Sequence, residues 1–319
     1  METTLKERNS ELDQIGRTEW RSGLRPRTKI VVGLIVLMAT LPGVFCFGSP
    51  SPKPADGVEH RSPAEEVPFQ LFNDNLVIVR ATVGKVNNVN MILDTGTSPS
   101  AISQELADRL KLNGKTEFLQ TLNGTIQTRS LILPYIQIGP WEARPIRVLV
   151  QDLSFMERSL GIALGGIAGL DILRTGSFTI DYRRKKVIFG RIAASENAVR
   201  FETQEPYLTV KAMIEGQEVR LLVDSGTWGL LVYRNRLQTT QEQVHFDSNA
   251  AISSPGGMTH VGWFWAGVSL GQENLGTRRV AIADIDSDPQ NDFDGLLGFA
   301  KMGFLKVSFD FENGLFGWE

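Results

Sequence analysis

The stretch that decides the fold is MILDTGT at Met91–Thr97, which recurs 130 residues later as LLVDSGT at Leu221–Thr227. Each copy is an apolar run, typical of a buried strand, that ends in an aspartate, a small hydroxyl residue and a glycine. Two such loops in one chain predict that the carboxylates of Asp94 and Asp224 face each other. A facing pair of carboxylates is the minimum apparatus for activating a water molecule for hydrolysis.

The two loops belong to a larger internal repeat. An apolar-apolar-glycine segment follows each loop, at Ile167–Gly169 and at Leu296–Gly298. A strand-like segment follows each of these, at Phe178–Tyr182 and at Val307–Phe311, and the paired features are 129 or 130 residues apart. A spacing held this closely indicates a duplicated unit of about 120 residues, too long for a solenoid repeat.

In combination, these motifs resemble the aspartic protease superfamily. Residues 72–318 are similar to two retropepsin-sized lobes fused into one pepsin-like polypeptide. The first lobe also resembles bacterial retropepsin-like proteins, whose Gly-Leu-Asp-x-Leu-Arg segment matches Gly169–Arg174. The resemblance implies a mostly β fold of two pseudo-symmetric β-barrel lobes and an aspartic endopeptidase that acts on peptide or protein substrates without a cofactor.

Peptide hydrolysis without a metal or a covalent nucleophile needs one base and one acid. Two carboxyl groups pressed together share one proton, which is the known arrangement in aspartic proteases. We therefore assign Asp94 and Asp224 jointly to water activation and carbonyl protonation. Because one chain supplies both, catalysis should not require a dimer.

The neighbours of each aspartate have supporting roles. The glycines let backbone amides approach the carboxylates without a clash at Cβ, and the second hydroxyl residues can donate to the outer carboxylate oxygens. By resemblance, the hydroxyl residue between aspartate and glycine reaches across and locks the two loops together. These six residues are Thr95, Gly96, Thr97, Ser225, Gly226 and Thr227.

Two glycine-containing turns are candidates for covering the substrate. Leu122–Thr125 lies where retropepsins carry a flap hairpin, and Pro255–Met258 holds the similar place in the second half. Both are either flaps or ordinary hairpin turns. Trp228 stands where the first half has Ser98, and it either lines a substrate subsite or fills the core. The flap candidates are Asn123, Gly124, Gly256 and Gly257.

The N-terminal region predicts a membrane anchor. Residues 30–48 form a 19-residue uncharged, largely apolar run, preceded by seven Lys or Arg residues. This pattern favours a single transmembrane signal-anchor with a cytoplasmic N-terminus and the lobes in the periplasm or outside the cell. A cleaved signal peptide, which would give a secreted protein, is the alternative, although a 29-residue polar leader is long for one. Lipidation of Cys46, the single cysteine, is a weaker alternative because Phe45 precedes it.

The predicted organisation has six parts and few helices. A helix is expected to begin near Ser103, short helices are expected after Gly169 and Gly298, and Asn313-Gly314 predicts a two-residue hairpin. The parts are a cytoplasmic tail (1–29), the membrane segment (30–48), a proline-rich linker (49–70), the first lobe (71–192), an inter-lobe linker (193–205) and the second lobe (206–319).

Other functions are less well supported. A net charge of −3, with no long basic stretch outside the N-terminus, argues against nucleic acid. The string at Gly267–Gly271 matches a serine-hydrolase motif, but no histidine follows it, and the three histidines have no metal-site spacing. Two rivals stay open: a non-catalytic peptide-binding protein that kept the cleft, and a structural envelope protein. The intact pair of loops argues against the second.

Overall fold

The chain is mostly β. The computed structural model describes residues 30–31, 65–121, 124–192, 195, 197–204, 206–238, 245–254, 257–284 and 292–319. Within these ranges there are three α-helices: α1 (Gln104–Leu110), α2 (Ser154–Leu160) and α3 (Leu170–Leu173). The strands are β1 (Ile30–Val31), β2 (Glu65–Pro68), β3 (Gln70–Phe72), β4 (Leu76–Val83), β5 (Val86–Leu93), β6 (Ala101–Ser103), β7 (Lys115–Thr121), β8 (Gly124–Leu133), β9 (Ile136–Ile138), β10 (Trp141–Ala143), β11 (Ile146–Gln151), β12 (Gly166–Ala168), β13 (Phe178–Asp181), β14 (Lys186–Phe189), β15 (Asn197–Arg200), β16 (Glu202–Gln204), β17 (Tyr207–Ile214), β18 (Gln217–Val223), β19 (Leu230–Tyr233), β20 (His245–Ser254), β21 (Gly257–Leu270), β22 (Glu273–Ala283), β23 (Gly295–Leu297), β24 (Lys306–Asp310) and β25 (Leu315–Trp318).

The duplication in the sequence is a duplication of sheets. The first lobe has a ten-stranded sheet whose main path is β10-β9-β4-β5-β12-β6-β11-β8-β7. The second lobe has a nine-stranded sheet in the order β1-β20-β21-β22-β19-β23-β18-β17-β16. In both lobes the strand before the aspartate loop pairs in parallel with the apolar-apolar-glycine strand, β5 with β12 and β18 with β23. Each aspartate strand is thus buried in the interior of its sheet, as its run of aliphatic residues predicts.

A third sheet joins the two lobes. Its six strands run β15-β25-β24-β13-β14-β2 and come from both halves of the chain. β13 and β24, the repeated segments of the sequence, pair antiparallel at its centre, with Phe178 opposite Phe309. Their rings stack with centroids 4.7 Å apart inside a hydrophobic core that includes residues of both lobes. Packing across this sheet fixes the lobes relative to each other.

Both predicted linkers contain strands, which differs from their assignment as spacers. β2 lies in the last part of the 49–70 linker and pairs with β14, and β3, which begins at the last linker residue, pairs with β4. β15 and β16 lie in the 193–205 linker and pair with β25 and β17. These segments have few apolar residues, and they are ordered by adding to the edges of existing sheets, where backbone hydrogen bonds suffice.

The predicted helix at Ser103 is confirmed. Ser103 is the N-cap of α1, and its hydroxyl accepts a hydrogen bond from the Leu106 amide at 3.2 Å. The helix expected after Gly169 is α3. The helix expected after Gly298 is wrong: the chain there makes a turn, in which the Lys301 amide donates to the Trp228 carbonyl and Gly303 has φ +79°. A left-handed residue this early ends any helix.

The hairpin between β24 and β25 forms, but its loop is not the predicted two-residue turn. Asp310 pairs with Leu315, so four residues connect the strands. The Asp310 carboxylate accepts hydrogen bonds from the Glu312 and Asn313 amides at 3.1 and 3.0 Å, which stabilises the longer loop. The last turn residue, Gly314, has φ +67°.

The membrane anchor stays a prediction. In the part of the chain that the structure covers, no helix has the length and apolar character needed to cross a membrane. Of the segment 30–48, only Ile30–Val31 is described, and these two residues form a strand parallel to β20 rather than the start of a helix. Cys46 and the rest of that segment lie outside the described residues.

Candidate active site

Two parallel strand pairs deliver Asp94 and Asp224 to the boundary between the lobes. Asp94 follows β5, and its amide donates to the Ala168 carbonyl at 3.0 Å. Asp224 follows β18, and its amide donates to the Leu297 carbonyl at the same distance. The apolar-apolar-glycine strands therefore fix the point at which each aspartate leaves its sheet. Both aspartates are buried, with 0% and 1% of their surface exposed.

Each carboxylate is held by donors from its own loop. In the first lobe, the Gly96 amide and the Thr97 hydroxyl each donate to Asp94 at 2.8 Å. The second lobe repeats the arrangement, with 2.7 Å from the Gly226 amide and 2.5 Å from the Thr227 hydroxyl to Asp224. These charge-assisted hydrogen bonds orient both carboxylates.

The two loops are also locked to each other by four hydrogen bonds. The Thr95 hydroxyl donates to the Val223 carbonyl at 2.8 Å and accepts from the Ser225 amide at 3.0 Å. The Ser225 hydroxyl donates to the Leu93 carbonyl at 2.9 Å and accepts from the Thr95 amide at 3.0 Å. This is the cross-loop contact that the resemblance implied for Thr95 and Ser225. It ties the ends of the two aspartate strands into one rigid unit.

The carboxyl groups of Asp94 and Asp224 are buried next to each other where the two loops meet. The loops approach so closely that a Cβ on Gly96 would lie 2.5 Å from the Asp224 carboxyl carbon, so only glycine fits there. Burial, then the neighbouring negative charge of Asp224, raises the pKa of Asp94 well above its ordinary value. Burial also raises the pKa of Asp224, while the hydrogen bonds from the Thr227 hydroxyl and the Gly226 amide oppose this rise.

Because the surroundings of the two carboxyl groups are so similar, the proton belongs to the pair rather than to either residue. The site therefore holds one acid and one base side by side in a water-poor environment.

The glycines beneath the loops permit close packing. A Cβ on Gly169 would lie 2.3 Å from the Thr97 carbonyl oxygen, and one on Gly298 would lie 2.1 Å from that of Thr227. These contacts explain the repeated apolar-apolar-glycine segment, since any larger residue would push the loop out of place.

Behind its loop, the first lobe has a polar support. The Asp171 carboxylate accepts from the Ser100 amide at 2.9 Å and from the Ser100 hydroxyl at 2.5 Å. The Ser100 hydroxyl in turn accepts from the Gly169 amide at 2.9 Å. Burial raises the pKa of Asp171, and the hydrogen bonds from Ser100 oppose this effect. Asp171 therefore supports the loop through Ser100.

The second lobe has Leu230 and Ala300 at the corresponding positions and uses an aromatic support instead. Trp228 is half-buried and packs edge-to-face against Trp263, with ring centroids 5.8 Å apart. The Lys301 ammonium lies 4.6 Å from the centroid of the Trp228 ring. Trp228 thus packs on a hydrophobic cluster while keeping part of its surface exposed.

The two candidate flaps are hairpins of their lobes. β7 and β8 pair up to Thr121 opposite Gly124, and β20 and β21 pair up to Ser254 opposite Gly257. Asn123 and Gly256, the predicted tip residues, lie outside the described residues. Whether the hairpins act as flaps stays a prediction.

Asn75 is a residue at this site that the sequence interpretation missed. It lies just before β4 in the first lobe, is 2% exposed, and its side-chain amide donates to the Gly226 carbonyl of the second loop at 3.0 Å. Its side-chain oxygen is buried and has no hydrogen-bond partner among the described residues. Nothing in the local sequence marks it, because the contact spans 151 residues.

No metal site is evident in the described parts of the chain, which contain no group of three or more His, Cys, Asp or Glu residues arranged to hold an ion. His260 is exposed on β21. Ser269, the centre of the serine-hydrolase string, lies inside β21 and pairs with Asn274, so it has no strand-to-helix turn to present it.

The arrangement defines a class: a hydrolytic site built from two aspartates on duplicated β lobes of one chain. Residues 79–171, which include Asp94 and Asp171, match the family model described as Aspartyl protease. The match covers part of the first lobe and supports the assignment to the aspartic protease superfamily. No curated protein matches the chain.

Proposed function

We propose that the protein is an aspartic endopeptidase in which the Asp94/Asp224 pair activates water to hydrolyse peptide bonds. The family match supports protease activity in general. The observation that carries the specific proposal is the buried pair of adjacent carboxyl groups, each of which accepts a hydrogen bond from the glycine amide of its own loop. A strand end with only a structural role has no need of two facing carboxylates, each of which is costly to bury.

In this proposal the pair works as one unit. The ionised member takes a proton from a water molecule as that water attacks the peptide carbonyl, and the protonated member gives its proton to the carbonyl oxygen. The loop donors are in place before the reaction, so little reorganisation is needed as charge develops. Activity should fall when both carboxyl groups are ionised at high pH and when both are protonated at low pH.

We further propose that an N-terminal helix tethers the enzyme to a membrane, with the lobes in the periplasm or outside the cell. The support is the apolar run at 30–48 and the basic residues before it. If this is correct, the full chain will float with lipid vesicles and a chain lacking residues 1–48 will stay in solution. Flotation of neither form would contradict the tether.

The catalytic proposal is tested with a mixed peptide library and the full chain, from about pH 3 to about pH 7. Asp94→Asn and Asp224→Asn serve as matched variants, one in each lobe. We expect cleavage by the wild type and a loss of about 10³-fold or more in each variant, since each removes half of the acid–base pair. A folded wild type that retains peptides without cleaving them would contradict the proposal and favour the peptide-binding alternative.

A further inference from the structure

The space between the second aspartate loop and its hairpin is filled by an aromatic cluster. We call the aromatic residues of this cluster the aromatic wall. The cluster contains Leu222, two residues before Asp224, and Leu296, from the strand beneath the loop. It also contains Trp263 of β21, the strand that rises to the hairpin end at Gly257. The wall therefore lies between the catalytic loop and the candidate flap of the second lobe. Its rings are Tyr207, Trp228, Tyr233, Trp263 and Phe293.

Within this wall, Trp228 is the residue nearest the chemistry along the chain. It directly follows Thr227, whose hydroxyl donates to the Asp224 carboxylate at 2.5 Å. Trp263 is 8% exposed, whereas Trp228 is only half-buried and keeps part of its indole open. A substrate in contact with Asp224 would pass this exposed indole surface.

Two cations lie on the same pair of indoles. The Lys301 ammonium lies over Trp228 at 4.6 Å, and the Arg279 guanidinium lies over Trp263 at 4.2 Å from the ring centroids. Both side chains belong to exposed residues, and neither contacts a carboxylate among the residues that the structure covers. Other cations of this lobe do have such partners: Lys211 pairs with Glu218 at 3.0 Å. Cation–π attraction holds the two free charges beside the wall without neutralising them.

In the described part of the first lobe, the corresponding cluster contains no indole. It is mainly aliphatic, with Ile92 before Asp94, Ile167 beneath the loop and Leu119 on the hairpin strand, and Phe72 packs against it. The position of Trp228 is taken by Ser98, and that of Lys301 by Ile172. The second lobe thus has two indoles and two cations in this cluster, where the first lobe has mainly aliphatic side chains.

We propose that Trp228, Trp263, Lys301 and Arg279 form a substrate subsite that takes an acidic side chain, Asp or Glu, of the bound peptide. This inference rests on the proposed peptidase function and names its substrate class. The indoles supply an apolar surface for the methylene groups of the acidic side chain. The two unneutralised cations attract its carboxylate, and exclusion of water by the rings strengthens that attraction.

The test measures binding, because binding does not depend on turnover. The full-length Asp94→Asn protein is mixed with fluorescent peptides that differ only by Glu or Gln at one position, with that position moved along the peptide. At one position we expect about tenfold tighter binding of the Glu peptide, and a weaker preference at higher salt. Adding Lys301→Met and Arg279→Met, which keep much of the apolar stem, should reduce the preference to about twofold or less. Lys211→Met, a matched exposed lysine away from the wall, should retain it.

The same peptides are then tested for cleavage by the wild-type protein. Cleavage without any difference between Glu and Gln would overturn the subsite and leave the peptidase function intact. Binding with the expected preference but no cleavage would support the subsite and contradict the peptidase function. A Glu preference that survives the double substitution would place acid recognition elsewhere and overturn the proposal.

Discussion

The two lobes present the same catalytic loop but support it differently. In the first lobe, the half-buried carboxylate of Asp171 holds Ser100 behind the loop through short hydrogen bonds. In the second, Trp228 packs on Trp263, and Lys301 covers its ring. Each of the two candidate catalytic carboxylates nevertheless accepts from the glycine amide and the threonine hydroxyl of its own loop, and Asp224 also accepts from the Thr227 amide at 3.1 Å. The two lobes therefore have equivalent residues at the positions that hold the carboxylates, and they differ from the next residue of the chain, Ser98 or Trp228, onward.

This difference suggests that the residues that set the geometry of the carboxyl pair are distinct from those that recognise the substrate. A proton shared by Asp94 and Asp224 requires similar surroundings for both, because a strong bias would fix the proton on one side. Substrate recognition has no such requirement, since a peptide is directional and its two sides differ. The asymmetric residues, Ser98 against Trp228, begin where contact with the aspartates ends. The following predictions test this separation, from the largest expected effect to the smallest.

The cross-loop lock should be equally important in both lobes. Thr95→Val and Ser225→Ala each remove two hydrogen bonds between the loops, so the carboxyl groups lose their fixed separation. Misplacement of catalytic groups by about 1 Å can cost about 100-fold in rate. We expect losses of about 10- to 100-fold in kcat/KM that agree between the two variants within about threefold. Ser225→Thr, which restores a hydroxyl, is the control.

A loss of kcat/KM in only one of the two variants would contradict the prediction that the lock is equally important in both lobes. In that case the loop whose variant keeps its activity would be positioned by its own sheet, and only the other loop would depend on the hydrogen bonds between the loops.

The supports behind the loops should differ in stability. Asp171→Ala leaves the Ser100 amide without its acceptor, and an unsatisfied buried group costs about 1–3 kcal/mol. Lys301→Ala removes an exposed cation–π contact, which contributes about 0.5–1 kcal/mol. Urea unfolding should therefore show a larger loss of the free energy of unfolding for Asp171→Ala. Asp171→Asn keeps one acceptor oxygen and should lie between the two, and equal losses would contradict the comparison.

Asn75 tests whether a contact between the lobes positions the second loop. Asn75→Leu keeps much of the side-chain volume but removes the hydrogen bond to Gly226. A net hydrogen bond of about 0.5–1.5 kcal/mol predicts a decrease in kcat of about 2- to 10-fold with little change in KM. Asn75→Asp should not rescue kcat, because its carboxylate would face the Gly226 carbonyl oxygen. A lower free energy of unfolding with unchanged kcat would show that the contact is only structural.

The sequence was sufficient for the parts of the fold that repeat or follow local rules. The paired loops at Asp94 and Asp224 and the duplicated strands were visible because the same pattern occurs twice at one spacing. Ser103 was recognisable as an N-cap because its hydroxyl bonds an amide three residues later. The roles of Thr95 and Ser225 came from the resemblance, and the structure shows the hydrogen bonds themselves.

The features that the sequence did not predict depend mainly on contacts between residues far apart in the chain. Asn75 bonds a carbonyl 151 residues away, and no local pattern encodes that contact. The strands inside the predicted linkers, such as β15, form because they add to a sheet edge built elsewhere in the chain. After Gly298, the bond from the Lys301 amide to the Trp228 carbonyl replaces the expected helix. At the final hairpin, the side chain of Asp310 lengthens a turn that Asn313-Gly314 alone would have made shorter.

The shared proton also has a consequence for stability. Burial raises the pKa of Asp94 well above its unfolded value of about 4. A carboxyl group with a raised folded pKa stabilises the fold below the unfolded pKa, and this contribution is lost as the pH rises through the folded pKa. The wild type should therefore lose stability relative to Asp94→Asn as the pH rises from about 4 toward neutral. Melting temperatures of both proteins across this range measure the effect, and a constant difference would contradict it.

The central claim is that Asp94 and Asp224 hold one proton between them. It is tested most directly by an NMR titration of the full chain with ¹³C-labelled aspartate carboxyl groups, with Asp94→Asn and Asp224→Asn used for assignment. The account predicts two coupled steps, in which the last proton leaves the pair well above pH 4, the ordinary range for aspartate, and each substitution abolishes the coupling. Two independent carboxyl groups that both ionise near about pH 4 would contradict it.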